Sequence, residues 1–99
     1  MASNVIPMPG PGDYRRIQQR IKKLWTEGNT EITYHAQQRM KERRFDITDI
    51  QNVIRYGRIV EHSKPGTFWR YTLSGKAVDG DPLKCVVEIN GNLIIVTVI

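Results

Sequence analysis

Cysteine is almost missing: Cys85 is the single one among 99 residues. An intramolecular disulfide is therefore excluded, and the apolar neighbours of Cys85 read it as a small buried hydrophobe, which suits a reducing cytosol. Histidine is scarce as well. His35 and His62 are far apart, and no Cys/His cluster has the spacing of zinc ligands, so no metal is expected. There is no nucleotide-binding glycine loop and no nucleophile elbow, so no cofactor is expected either. No apolar run approaches the length needed to cross a bilayer, and the start lacks the basic end and apolar core of a signal peptide. The expected location is cytoplasmic, with no membrane partner.

Acidic residues are thin where basic ones are dense. The formal net charge is +5, and its placement says more than its size. Residues 15–44 hold Arg15, Arg16, Arg20, Lys22, Lys23, Arg39, Lys41, Arg43 and Arg44 against only Glu27, Glu31 and Glu42. The remainder is close to neutral, so the basic surface belongs to the first half of the chain. Such a face attracts phosphates, anionic lipid or an acidic protein, or is simply solvated.

Along the chain, residues 1–12 are uncharged and dense in Pro and Gly, which predicts a flexible tail ahead of one domain over residues 13–99. Asp13 can cap a helix whose inner face is Ile17, Ile21, Leu24 and Trp25, ended by Gly28. Thr33 is a candidate N-cap for a second helix, and Thr48-Asp49-Ile50-Gln51 has capping-box spacing for a third, stopped by Gly57. The period then changes to 2. Strands are predicted over Arg58–His62, Thr67–Ser74, Leu83–Asn90 and Leu93–Ile99. Trp69, Tyr71 and Leu73 share an inward face, as do Leu83, Cys85, Val87 and Ile89, whereas Phe68, Arg70, Thr72, Lys84, Val86 and Glu88 fall on a face that can be open. The last strand is apolar on both faces, so it is either central or covered by another chain, for instance in a homodimer. The fold class is α+β, two to three N-terminal helices on a four-stranded antiparallel sheet.

The second helix carries the most chemistry. Ala36, Met40 and Arg43 fall on one stripe, with Arg39 and His35 on its flank. An arginine in an apolar stripe must be paired or must open onto a ligand. The plain reading is an ion pair from Arg43 to Glu61, Asp46 or Asp49, with His35 an ordinary boundary residue. The chemical reading is a phosphodiester site. Cleaving RNA without metal requires a base for the 2′-hydroxyl, cations for the phosphorane oxygens and an acid for the leaving oxygen. His35 could supply the base, Arg39, Arg43 or Arg70 the charge, and Trp69 or Tyr71 a surface for an unpaired base. Arg16, Arg20, Lys23 and Lys41 would bind the phosphates. Against this, Trp69, Tyr71 and Leu73 in such a strand are more often simply core, and His62 reads as a surface residue at a strand end.

The pattern Thr33-x-His35-Ala36-x-x-Arg39-Met40-x-x-Arg43, followed by Phe45-x-Ile47-x-x-x-Ile50 and Gly57-x-Ile59, then a strand with Tyr71, resembles the domain-of-unknown-function family 4258 over about residues 30–99. Through it the chain resembles the RelE-like and BrnT-like small toxins of bacterial toxin-antitoxin pairs. The resemblance implies helices on an antiparallel sheet, an RNA substrate, a neutralising antitoxin protein, and weight on His35, Arg39 and Arg43. RelE-like chains usually begin with a strand, and the pattern of this chain shows none there. The resulting expectation is a metal-independent RNA endonuclease of toxin type. The alternative is a non-catalytic module that binds nucleic acid or inhibits another protein.

Overall fold

The computed structural model describes residues 11–99, with side chains from Tyr14 onward. Residues 1–10 of the expected tail lie outside the described residues, and Pro11 and Gly12 already belong to the first helix. That helix, α1 (Pro11–Thr26), places Asp13 within its first turn rather than ahead of it. Proline is well suited to a first helical position, where no intrahelical N–H bond is lost. At the other end Gly28 takes φ +79°, and the Gly28 and Asn29 amides donate to the carbonyls of Trp25 and Leu24 at 3.1 and 3.0 Å. The left-handed turn closes the last carbonyls of α1, and glycine adopts it without a Cβ penalty.

The chain then forms β1 (Thr30–Ile32), α2 (Tyr34–Arg43), α3 (Ile47–Tyr56), β2 (Arg58–Ser63), β3 (Arg70–Lys76), β4 (Pro82–Asn90) and β5 (Asn92–Val98). Thr33 caps α2 as expected: its hydroxyl accepts from the Ala36 amide at 3.0 Å and donates to the Val96 carbonyl at 2.9 Å. The capping box of α3 sits two residues earlier than the predicted one. Asp46 accepts from the Thr48 and Asp49 amides, and Asp49 accepts from the Asp46 amide at 2.9 Å. An Asp at each end of the box satisfies both orphan donors, which Thr48 and Gln51 do not do here. The Thr48 hydroxyl and the Asp49 N–H beside it hold the Asp46 carboxyl below the usual carboxylate range. Gly57 ends α3.

The sheet has five strands in the order β1-β5-β4-β3-β2, and it is mixed rather than four-stranded and antiparallel. The added strand, β1, pairs parallel to β5, Thr30 opposite Leu93 and Ile32 opposite Ile95, whereas the other three pairings are antiparallel. β5 is thus an inner strand, held by β4 on one side and β1 on the other. This accounts for its apolar character without requiring a second chain.

One face of the sheet carries Ile59, Tyr71, Leu73, Leu83, Cys85, Val87, Leu93, Ile95 and Val98. These form a single core with Ile21 of α1, Ala36 of α2, and Ile50, Val53 and Ile54 of α3. Burial keeps the Cys85 thiol neutral, its pKa pushed up to about 12. On the other face Arg70, Thr72, Val86, Glu88 and Ile94 are half-exposed and Lys84 is exposed. Phe68 is not among them, because β3 starts at Arg70 and residues 64–69 are a loop.

The helix layer sits tightly on the sheet where α3 meets β3. A Cβ on Gly57 would lie 2.6 Å from the Val53 carbonyl oxygen and 2.7 Å from that of Ser74, and one on Gly75 would lie 3.2 Å from the Gly57 Cα. Across this contact the Asp49 carboxylate accepts from the Val78 amide at 2.9 Å, and the Asn52 amide group donates to the Lys76 carbonyl at 2.8 Å.

Candidate functional site

α1 buries Ile21 and half-buries Tyr14, Ile17, Leu24 and Trp25, an apolar stripe that packs down on α3 and the sheet. The stripe leaves Arg15, Arg16, Arg20, Lys22 and Lys23 exposed along the outer side of the helix. Among the described residues, the ion pairs within 4.0 Å are Arg39–Glu42 and Arg70–Glu88, both at 3.1 Å. The five cations of α1 have no carboxylate partner in that set. Arg16, Arg20 and Lys23 recur at i, i+4 and i+7, so they line one side of the helix over about 10 Å.

The residues expected from α2 are placed as follows. His35 is exposed in the first turn, Arg39 is tied to Glu42 one turn away, and Lys41 is exposed. Arg43 is exposed as well, its guanidinium carbon 5.5 Å from the centre of the Phe45 ring. The ion pair anticipated from Arg43 to Glu61, Asp46 or Asp49 is not formed. The reason is the length of α2: Arg43 is its last helical residue, and Arg44 turns left-handed at φ 60°, so the stripe leaves the core before it reaches Arg43.

Arg70 and Tyr71 leave β3 on opposite faces, as neighbours in a strand must. Arg70 lies on the open face, bound to Glu88. Tyr71 points under α1 and is 8 % exposed. Burial pushes its hydroxyl up from the ordinary phenol range, the Tyr14 hydroxyl adds to this, and the nearby Arg20 guanidinium opposes it.

A second cluster is visible only in three dimensions. The Tyr14 hydroxyl meets His62 Nδ1 at 2.6 Å, joining α1 to β2 across 48 positions of sequence. The His62 ring lies edge-on to Tyr14, centroids 5.8 Å apart, and 5.4 Å from Trp69, whose ring also carries the Lys64 ammonium at 5.7 Å. His62 is not the surface residue that a strand end suggested: its Nε2 is sealed from solvent and has no hydrogen-bond partner among the described residues. A nitrogen so enclosed cannot reach a substrate. The Tyr14–His62 pair instead pins the first turns of α1 to the edge of the sheet. Gln18 supports the same junction, its amide group 3.4 Å from the Gly57 carbonyl and 3.5 Å from the Ile59 amide. Spacing gave no signal for this cluster, because its members come from α1, β2 and the loop before β3.

The sequence profile of a domain of unknown function, DUF4258, matches residues 32–99. The chain belongs to this family. The DUF4258 segment takes in α2, α3 and β2 to β5, with the candidate residues His35, Arg39, Lys41, Arg43, Trp69, Arg70 and Tyr71. α1, with Arg16, Arg20 and Lys23, precedes it. Curated proteins and solved structures give no match to the chain. Among the described residues, no group of three or more His, Cys, Asp or Glu side chains is placed to hold a metal ion, and no helix is long and apolar enough to cross a membrane.

Proposed function

We propose that this chain binds RNA, with α1, ahead of the DUF4258 segment, holding the phosphodiester backbone. One observation carries the reading: five exposed cations on a single helix, with no carboxylate partner among the described residues. Unpaired guanidinium and ammonium groups are free to exchange condensed counterions of a polyanion for direct phosphate contacts. The test is a salt titration of RNA affinity for the wild type and for the triple variant Arg16→Glu, Arg20→Glu, Lys23→Glu. The logarithm of affinity should fall linearly with that of salt, by about 0.7 per phosphate contact on a single strand. The variant should bind more weakly and with a flatter slope. Equal affinity at low and moderate salt in the wild type would overturn the reading.

A second reading adds cleavage, in the manner of the RelE-like and BrnT-like toxins. It is favoured by the exposure of His35 in the first turn of α2, with Arg39 and Arg43 on the same flank within about 80°. In this reading His35 takes the proton from a 2′-hydroxyl, the 2′-oxygen attacks phosphorus, and the 5′-oxygen leaves with a proton from solvent. Arg43 holds the phosphorane charge, as does Arg39 once released from Glu42, and an antitoxin protein would cover the same helix. Incubation with RNA in the presence of EDTA tests it. The products should carry 2′,3′-cyclic phosphate ends, and His35→Ala should slow cleavage roughly 10²- to 10⁴-fold without unfolding the domain. Intact RNA after incubation with the wild type would leave the binding reading alone standing.

A further inference from the structure

Between α1 and the ends of β3 and β4 lies a cleft of about 230 Å³, lined by Ile17 and Arg20 from α1, by Thr67, Phe68 and Trp69 from the loop, and by Tyr71 and Ile89 from the sheet. Its composition is specific. Ile17, Trp69, Tyr71 and Ile89 make an apolar surface, and no carboxylate contributes to the lining. The charge in it is that of Arg20, which has no ion-pair partner among the described residues. An amine or a metal cation would meet no counter-charge here, whereas an anionic ligand with a flat apolar part would meet both of its requirements.

The aromatic surfaces of the cleft are not equivalent. The Trp69 ring is already approached by His62 and by the Lys64 ammonium. Tyr71 is buried. Phe68 differs: it is 38 % exposed, and among the described aromatic and cation–ring contacts it has none. An exposed phenyl ring in the same cleft as a guanidinium with no carboxylate partner among the described residues matches the two halves of a nucleotide, a base that stacks and a phosphate that pairs. Arg16 and Lys23, one turn to either side of Arg20, continue the positive surface beyond the cleft in both directions along the helix, so the phosphates flanking the bound nucleotide are also met.

We propose that this cleft is a base-binding subsite for single-stranded RNA, in which one unstacked base lies on Phe68 and its phosphate pairs with Arg20. The proposal rests on the RNA-binding reading and adds to it a preference for unpaired strands, since a base inside a duplex cannot be turned out onto Phe68 without losing its own stacking. The Tyr14–His62 pair has a positioning role: it fixes α1 against β2 and so sets the distance between Arg20 and the aromatic loop.

The experiment measures affinity of the full chain for a short labelled oligouridylate or oligoadenylate and for an RNA duplex of the same length, in the wild type, Phe68→Ala, Phe68→Leu and Phe68→Trp. Phe68 is partly exposed, and circular dichroism checks that each variant folds. Phe68→Ala and Phe68→Leu should bind single strands roughly 5- to 100-fold more weakly, with the salt slope unchanged, because a stacking contact and no phosphate contact is lost. Phe68→Trp should bind single strands as tightly as the wild type. Duplex affinity should be the same in all four. Single-strand affinity unchanged in Phe68→Ala, or lost equally for single strand and duplex, would overturn the subsite while the basic helix stood. A wild type that binds neither RNA would overturn the binding reading and the subsite together.

Discussion

Single side chains here are governed by where their polar atoms end up. The Tyr14 hydroxyl is the described hydrogen-bond partner of His62, and without it neither ring nitrogen of this half-buried imidazole has a partner among the described residues. Tyr14→Phe should therefore lower stability by about 1 to 3 kcal/mol, read as a shift of the urea midpoint at constant slope. Cys85 gives a pH-dependent counterpart. Its thiol is held neutral to about 12 in the fold, against an ordinary value of 9.0. Between those two values the unfolded chain loses the proton and the folded chain keeps it, so stability falls as pH rises through that window and is untouched below it. Comparing the wild type with Cys85→Ala at about pH 8 and about pH 10.5 isolates this contribution from other groups that titrate there. The stability gap between the two proteins should shift in favour of the variant at the higher pH, and a constant gap would show that Cys85 ionises freely in the fold. That Cys85 is buried was legible from its apolar neighbours. The burial of His62 was not, because its surroundings are Tyr14 and Trp69, neither of them within hydrogen-bonding range along the local chain.

At the level of elements, the turn and cap chemistry was legible where it is local. Thr33 three positions before Ala36, and Gly57 after a run of helical apolar residues, announce a start and a stop that the structure keeps. The capping box slipped by two positions because Asp46, Thr48 and Asp49 all offer side-chain oxygens within one turn, and tertiary ties decide among them: Asp49 also holds the Val78 amide. β1 left no signal at all. Three residues cannot show alternation, and Thr30–Ile32 is a strand only because Leu93–Ile95 lies beside it. The sharpest demand on sequence at this scale is the crossing of α3 over β3. Gly57→Ala would drive a methyl group into two backbone carbonyl oxygens, and neither can move without shifting a helix end or a strand. The expected cost is about 1 to 3 kcal/mol, seen as a lower melting temperature, whereas Gly66→Ala, where a Cβ meets nothing within 4 Å, should leave it nearly unchanged.

For the whole molecule, the boundary of the family match and the boundary of the folding unit do not coincide. The match begins at Ile32, yet Ile21 of α1 is fully buried in the core, and Tyr14, Ile17, Leu24 and Trp25 pack against it. Each fully buried apolar side chain contributes about 1.5 to 3 kcal/mol, and a domain of this size has only about 5 to 15 kcal/mol in total. A fragment of residues 30–99 should accordingly lose its cooperative thermal transition and its near-ultraviolet dichroism, and a sharp transition in that fragment would show that α1 is an accessory. The site was legible to a lesser degree than the fold. Charge density marked α1, but the cleft beneath it joins Arg20 to Phe68 and Ile89, and no one-dimensional pattern encodes that meeting. The parallel pairing of β1 with β5 has a further effect in time. Thr33, at the head of α2, donates its amide and its hydroxyl to Ile95 and Val96, so the start of α2 is anchored by residues made more than sixty positions later. During synthesis the helix that bears His35 waits, incompletely seated, until Asn92–Val98 has left the ribosome. Such long-range closure is slow, so the seating of α2 is a late step of folding even though the helix itself is local.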